Sequence, residues 1–216
     1  MQNLGPSRHL WLGPVVLVSG MRITRTAAWA VCAALLFAAG GQASAADVAA
    51  GRTLAGACAA CHGADGVSQI ELTPSLAGQP DEFLQWQIVY FRSGVRKSEV
   101  MGPIAEALSN QDIRNLGAYY ASLPPPQPAI APDALAQKGE QIALQHRCRS
   151  CHADDYNGFR AAARLSGQRE DVMVKALHDF KSGKRVGSGV ASMADVTYEL
   201  SDADMEALSH YMASRR

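Results

Sequence analysis

One short motif constrains this chain more than anything else in it. Cys-x-x-Cys-His occurs twice, as Cys58-Ala-Ala-Cys61-His62 and as Cys148-Arg-Ser-Cys151-His152. These hold four of the five cysteines. The fifth, Cys32, lies in a leader-like segment. There Met21-Arg22-Ile23-Thr24-Arg25 is a short basic start, Ala27 to Ala39 is apolar, and Ala43-Ser44-Ala45 has the small-x-small form of a cleavage site. This predicts a signal peptide over residues 1–45, with Met21 as an alternative start, and an exported protein. An uncleaved anchor is the competing reading, but the apolar run falls short of the roughly 20 residues a spanning helix needs. Once the segment is removed, no cysteine lies outside the two motifs.

The motifs belong to a longer repeat. Leu76-Ala-Gly78-Gln79 matches Leu165-Ser-Gly167-Gln168, and Phe91-Arg-Ser-Gly94-Val-Arg96 matches Phe180-Lys-Ser-Gly183-Lys-Arg185. From Met101, Leu, Ser, Asp and Tyr follow at Leu108, Ser109, Asp112 and Tyr119; from Met193 they follow at the same offsets, as Leu200, Ser201, Asp204 and Tyr211. Between the copies runs Leu123-Pro-Pro-Pro-Gln-Pro-Ala-Ile-Ala-Pro132, with five of the ten prolines. Proline lacks the N–H a helix interior requires, so this stretch reads as an extended strap. The expected organisation is a first domain at 46–123, a linker at 124–132 and a second domain at 133–216.

Local signals are helical throughout. Ser109 with Asp112 and Ser201 with Asp204 have capping-box spacing. Behind each cap, apolar residues recur at helical steps: Ile113, Leu116, Tyr120 and Met205, Leu208, Met212. Further helices are expected over 48–57, 81–92, 135–147 and 170–181. No hairpin signal is present, so the fold class is all-α. Each half is near 80 residues, a size that buries only a modest core and calls for a staple.

Three chemistries use paired cysteines. Zinc ribbons place two pairs roughly 15–20 residues apart; here the pairs are separated by a domain boundary. Thioredoxin-like redox pairs need a βαβ frame, which is absent, and leave both histidines unexplained. Covalent haem attachment explains every residue: two thiols tether the porphyrin vinyl groups, and the next histidine becomes the proximal iron ligand. The apolar macrocycle also completes each small core. The expectation is two covalently bound haem c groups, on Cys58 and Cys61 with His62 and on Cys148 and Cys151 with His152.

The sixth ligand follows from the repeat. Met101 is the sole methionine of the first half and stands 39 residues after His62; Met193 stands 41 after His152. Met173, Met205 and Met212 fall on apolar helical faces and read as packing. His178 and His210 read as surface or interface side chains, and His146 lies too near the attachment site. His/Met ligation raises the potential and leaves no open site for a substrate, which predicts electron transfer and no enzymatic reaction. After removal of the leader, 17 basic residues face 20 acidic ones, so no basic excess exists to hold nucleic acid. The second half carries Arg160, Arg164, Arg169, Lys175, Lys181, Lys184 and Arg185 close together. Solvated faces and propionate counter-charges explain them more simply than a steering patch.

On the two Cys-x-x-Cys-His sites, the Leu-x-Gly-Gln and Phe-x-x-Gly-x-Arg segments and the Met-to-Tyr patterns, the chain resembles the diheme class I cytochromes c of the c-four type. The resemblance covers nearly all of residues 46–216. It implies two tandem class I domains, each wrapped around one haem, with a propionate edge of each haem near the interface. It also implies a periplasmic carrier between a respiratory donor and a terminal oxidase or other acceptor, touching membranes only through partners. A fixed cytochrome subunit of a periplasmic dehydrogenase is the alternative, and a diheme peroxidase or thiosulfate-oxidising cytochrome a more distant one. Two departures stand out. Pro74, whose carbonyl the resemblance assigns to the proximal imidazole, is matched by Ala163, so His152 is expected to be oriented differently. Gly63 is matched by Ala153, followed by the polar loop Asp154-Asp155-Tyr156-Asn157-Gly158.

Overall fold

Carboxylates and hydroxyls at the helix starts set the framework. A computed structural model describes residues 45–128, 133–186 and 191–216; the expected signal peptide, up to Ser44, lies outside them. Asp47 Oδ1 accepts from the N–H groups of Ala49 and Ala50 at 2.8 and 3.1 Å and opens α1 (Val48–Ala55). Asp133 accepts from the Ala136 N–H at 2.9 Å and opens its counterpart α6 (Ala134–Gln145). Such caps satisfy backbone donors that the first helical turn leaves without partners.

The first half continues through α2 (Ala59–His62), α3 (Asp81–Arg92), α4 (Met101–Glu106) and α5 (Asn110–Ser122). The second repeats the order: α7 (Arg149–His152), α8 (Glu170–Lys181), α9 (Ala191–Tyr198) and α10 (Asp202–Ala213). Both expected capping boxes form: Ser109 with Asp112 starts α5, and Ser201 with Asp204 starts α10. The described residues contain no strand, only the isolated bridges Arg96–Arg185 and Phe159–Ala162.

Two expected helices end early. α1 stops at Ala55 because the N–H groups of Gly56, Ala57 and Cys58 turn to carbonyls three residues back, tightening the chain into the motif. α6 stops at Gln145, and Arg147 takes a left-handed φ of 54°. α4 and α9 were not anticipated as helices.

In each half the first and last helices pack together, α1 on α5 and α6 on α10. They approach closely at one glycine each. A Cβ on Gly51 would lie 2.1 Å from the Asn115 carbonyl oxygen, and one on Gly139 would lie 2.0 Å from that of Ala207. Only glycine permits this approach. Ala55, Leu84, Leu116, Tyr119 and Tyr120 form the first core, with Cys58 packed against it. The second is larger, centred on Tyr156, Leu200, Met205 and Tyr211, with Cys148 at its edge.

Both halves fall within one compact unit, tied by reciprocal hydrogen bonds. Gln79 Nε2 donates to the Arg164 carbonyl at 2.9 Å, and the Arg164 N–H donates to Gln79 Oε1 at 3.0 Å. Gln168 Nε2 donates to the Ser75 carbonyl at 2.8 Å, and the Ser75 N–H donates to Gln168 Oε1 at 3.0 Å. Each glutamine thus grips one residue of the other half as a β-ladder would.

Candidate haem sites

Each Cys-x-x-Cys-His motif forms a tight turn into a four-residue helix. The first cysteine, Cys58 or Cys148, occupies the N-cap; the second, Cys61 or Cys151, and then the histidine lie on the helix. The first cysteine of each pair is half-buried and the second exposed, and none of the four is in a disulfide. Burial pushes the Cys58 and Cys148 thiols up. Among the described residues no group of three or more His, Cys, Asp or Glu side chains is placed to share a metal ion.

The imidazoles are held identically. His62 Nδ1 bonds the Pro74 carbonyl oxygen at 2.8 Å, and His152 Nδ1 bonds that of Ala163 at 2.8 Å. A carbonyl oxygen can only accept, so Nδ1 carries the proton and the Nε2 lone pair is left for a metal. Burial pushes both imidazoles below their ordinary value, and the carbonyl bonds oppose this. The expected difference in the setting of His152 is therefore corrected. The contact is made by a backbone carbonyl, which alanine supplies as well as proline. The loop that replaces proline's rigidity is itself pinned: the Gly158 N–H donates to the His152 carbonyl at 3.0 Å, and Phe159 and Ala162 exchange two backbone bonds.

Met101 is the first residue of α4, half-buried, with its N–H donating to Ser98 Oγ at 3.0 Å. Met193 is also half-buried, on α9, where its carbonyl accepts from Thr197 Oγ1 at 2.8 Å. α4 packs on α3 and α9 on α8, the same relation in both halves. Met173, Met205 and Met212 are core residues. His210 departs from its surface reading: it is shielded between Glu170, 3.0 Å from Nδ1, and Asp133, 3.2 Å from Nε2. It is a structural tie between the starts of α6 and α8 and the body of α10.

Arg96 and Arg185 meet where the halves join. Arg96 Nη1 and Arg185 Nη2 both donate to Gln87 Oε1, at 2.7 and 2.9 Å. Each guanidinium also covers the phenylalanine of its own repeat segment, Phe91 or Phe180, with 4.5 Å to the ring centroid. Neither makes an ion pair among the described residues. Burial pulls Arg96 down to about 10. Burial and then the repulsion of Arg96 pull Arg185 down to about 9. Asp179 opposes both shifts. Two neighbouring cations sharing one neutral acceptor form a site short of negative charge. Haem propionates would supply the negative charge and the acceptor oxygens that it lacks. The residues present therefore fit the cofactor that the motifs imply. The repeat had marked both arginines; Gln87 carried no such signal, because its counterpart is Ala176.

The profile of the cytochrome c family matches residues 48–124 and 136–216. Cytochrome c4 of Pseudomonas aeruginosa is 33% identical over 178 residues, covering 78% of this chain and 89% of that protein. The thiosulfate dehydrogenase electron acceptor of Thiomonas intermedia is 33% identical over 175 residues, covering 74% and 79%. The crystal structure of reduced cytochrome c4 from Pseudomonas stutzeri superposes with a TM-score of 0.74 at 32% identity, covering 80% of this chain and all of that one. Two cytochrome c domains in tandem, each with its own covalently bound haem c, make this chain a member of the diheme, c4-type cytochromes c, electron-transfer proteins that exchange electrons with other redox proteins.

Proposed function

We propose that the protein is a periplasmic carrier of single electrons in which both irons are ligated by histidine and methionine: His62 with Met101, and His152 with Met193. The observation that carries this reading is the matched pair of Nδ1-to-carbonyl bonds, 2.8 Å each. They fix both tautomers and leave both Nε2 lone pairs available to a metal. The haem supplies the one-electron couple. The chain's part would be to hold each ring by two cysteines, to orient the imidazole, to offer a thioether as second iron ligand, and to exclude water and exogenous ligands. A thioether is a soft neutral donor that favours the ferrous state, which suits the protein to the oxidising end of a chain of carriers.

Were Met101 and Met193 to complete the two ligand sets, neither iron would keep a coordination site for a substrate, which favours electron transfer over an enzymatic role. Among the described residues no helix is long and apolar enough to cross a membrane. The domain limits 46–123 and 133–216, joined by the proline-rich strap, belong to the same reading. The likeness to a thiosulfate dehydrogenase electron acceptor favours one second reading, in which a dehydrogenase is the donor and the cytochrome stays bound to it.

The test is spectroscopic. The mass of the mature protein should correspond to two attached haems. The ferric spectrum should show the sulfur-to-iron charge-transfer band, and replacing either Met101 or Met193 with Ala should remove about half of it. Rapid binding of cyanide to the unmodified ferric protein would refute the ligation. Co-purification with a dehydrogenase from the native host would select the second reading.

A further inference from the structure

We propose that Gln79 and Gln168 are positioning residues through which each half of the chain sets the proximal histidine of the other half. The inference rests on His62 and His152 being iron ligands and adds a control that the ligand set alone does not contain.

The carbonyl that holds each imidazole belongs to a peptide group whose N–H is the next residue's. Pro74 C=O accepts from His62 Nδ1 at 2.8 Å, and the N–H of that same peptide, on Ser75, donates to Gln168 Oε1 at 3.0 Å. Ala163 C=O accepts from His152 Nδ1 at 2.8 Å, and the N–H of its peptide, on Arg164, donates to Gln79 Oε1 at 3.0 Å. The two relays cross the interface in opposite directions. In each, imidazole N–H, carbonyl, amide N–H and glutamine oxygen form a continuous chain.

The chain is sheltered. Gln79 is 4% exposed, Gln168 7% and Ser75 2%, so water does not compete for these groups. Each Nε2 closes a second bond to the same residue, at 2.9 Å for Gln79 and 2.8 Å for Gln168. This fixes the plane of the side-chain amide. Serial hydrogen bonds polarise one another in such surroundings. Withdrawing density through the N–H should leave the carbonyl a weaker acceptor. Donation by the N–H to an oxygen does the reverse: it pushes negative charge onto the carbonyl and strengthens its hold on Nδ1–H. A firmer hold makes the imidazole a more basic ligand, which stabilises the ferric iron. The relays are not equal. Gln168 Oε1 also accepts from the Arg169 N–H at 3.0 Å, whereas Gln79 Oε1 serves the Arg164 N–H. This accounts for the glutamine that ends both Leu-x-Gly-Gln segments, at Gln79 and Gln168.

The test is redox titration of the full diheme protein, with each potential assigned to its half by the hyperfine-shifted NMR resonances of the ferric haems. Gln168→Leu should raise the potential of the His62 haem, and Gln79→Leu that of the His152 haem. Each shift should correspond to about a threefold change in the ferric-to-ferrous ratio, about 30 mV at 59 mV per tenfold. The haem in the mutated half should move less. A larger shift in the mutated half, or no shift in either, would overturn the proposal. If a leucine variant does not fold, Gln168→Glu and Gln79→Glu retain a stronger acceptor and should each lower the opposite potential more than their own. A missing sulfur-to-iron band in the unmodified protein would count against the His/Met ligation alone, because the cross-half comparison uses differences between variant and parent.

Discussion

Ala153 occupies backbone territory that suits glycine. Its φ of 67° and ψ of 165° lie in a region open almost only to glycine, where another residue stores about 1–3 kcal/mol. The matching Gly63 has φ 84° and ψ 149°. Ala153→Gly should release that strain. Against it stand the extra freedom of glycine in the unfolded chain, about 0.5–1 kcal/mol, and half of a buried methyl, about 0.4 kcal/mol. The net expectation is stabilisation by about 1 kcal/mol, or about 2–4 °C in Tm for a chain of this size. The assay is thermal unfolding of the oxidised haem protein by far-ultraviolet circular dichroism, with the visible spectrum recorded in parallel. The converse change, Gly63→Ala, would put a Cβ 2.2 Å from the Val67 carbonyl oxygen and should destabilise by more than the first change gains. A Tm for Ala153→Gly at or below that of the parent would refute the strain argument.

Ser201→Ala removes the hydroxyl that accepts from the Asp204 N–H at 3.2 Å and should cost about 1 kcal/mol, read as a lower Tm with an unchanged haem spectrum. Asp112 and Asp204 are held below the usual carboxylate range by hydrogen bonds from Ser109 and Ser201. Their stabilisation is present above the unfolded carboxylate pKa near 3.9 and is lost as pH falls through the lower folded values, so Asp112→Asn with Asp204→Asn should flatten acid unfolding below about pH 4. Arg185→Leu removes a cation from the junction of the two halves and should lower both haem potentials, whereas Arg160→Leu, at an exposed site, should leave them nearly unchanged; equal effects in redox titrations would dismiss the propionate site.

The sequence disclosed those elements whose causes are local. α5 and α10 fall where their capping boxes place them, because a cap and the turn it serves are within four residues of each other, and α3 and α8, which have no side-chain cap, span the expected 81–92 and 170–181. The helix ends near the motifs were misjudged, since the tightening at Cys58 and the left-handed Arg147 answer to the attachment turn and not to helix propensity. α4 and α9 were missed because six and eight residues give too little periodicity to recognise. At the sites, the thiols and histidines were legible as a motif. The role of the carbonyls was legible only in part. Proline at position 74 suggested that side-chain identity mattered, when the working group is a backbone oxygen that Ala163 also presents.

What escaped sequence reading altogether was the use of the repeat across the interface. Gln79 and Arg164 are 85 residues apart, and Ser75 and Gln168 are 93 apart; no pattern within either half distinguishes a glutamine that grips its neighbour domain from one that packs at home. The same holds for charge. The seven cations crowded into the second half invited a steering role, but the fold commits most of them. Lys175 is paired with Asp179 and Arg169 with Asp171. Lys181 caps the Leu200 carbonyl, Arg164 holds the Ser166 carbonyl, and Arg185 shares Gln87 with Arg96. Only the two paired with carboxylates, Lys175 and Arg169, have their charge offset by a partner; a cation bonded to a neutral carbonyl or amide keeps its full charge, and salt screens exposed charges beyond a Debye length of about 8 Å. Arg185 and Arg169 reach across to the first half, at Gln87 and the Ser68 carbonyl, whereas Lys175, Lys181 and Arg164 place their side chains on partners within the second, so a run of cations crowded in sequence is divided by the fold between the junction and the interior of one half.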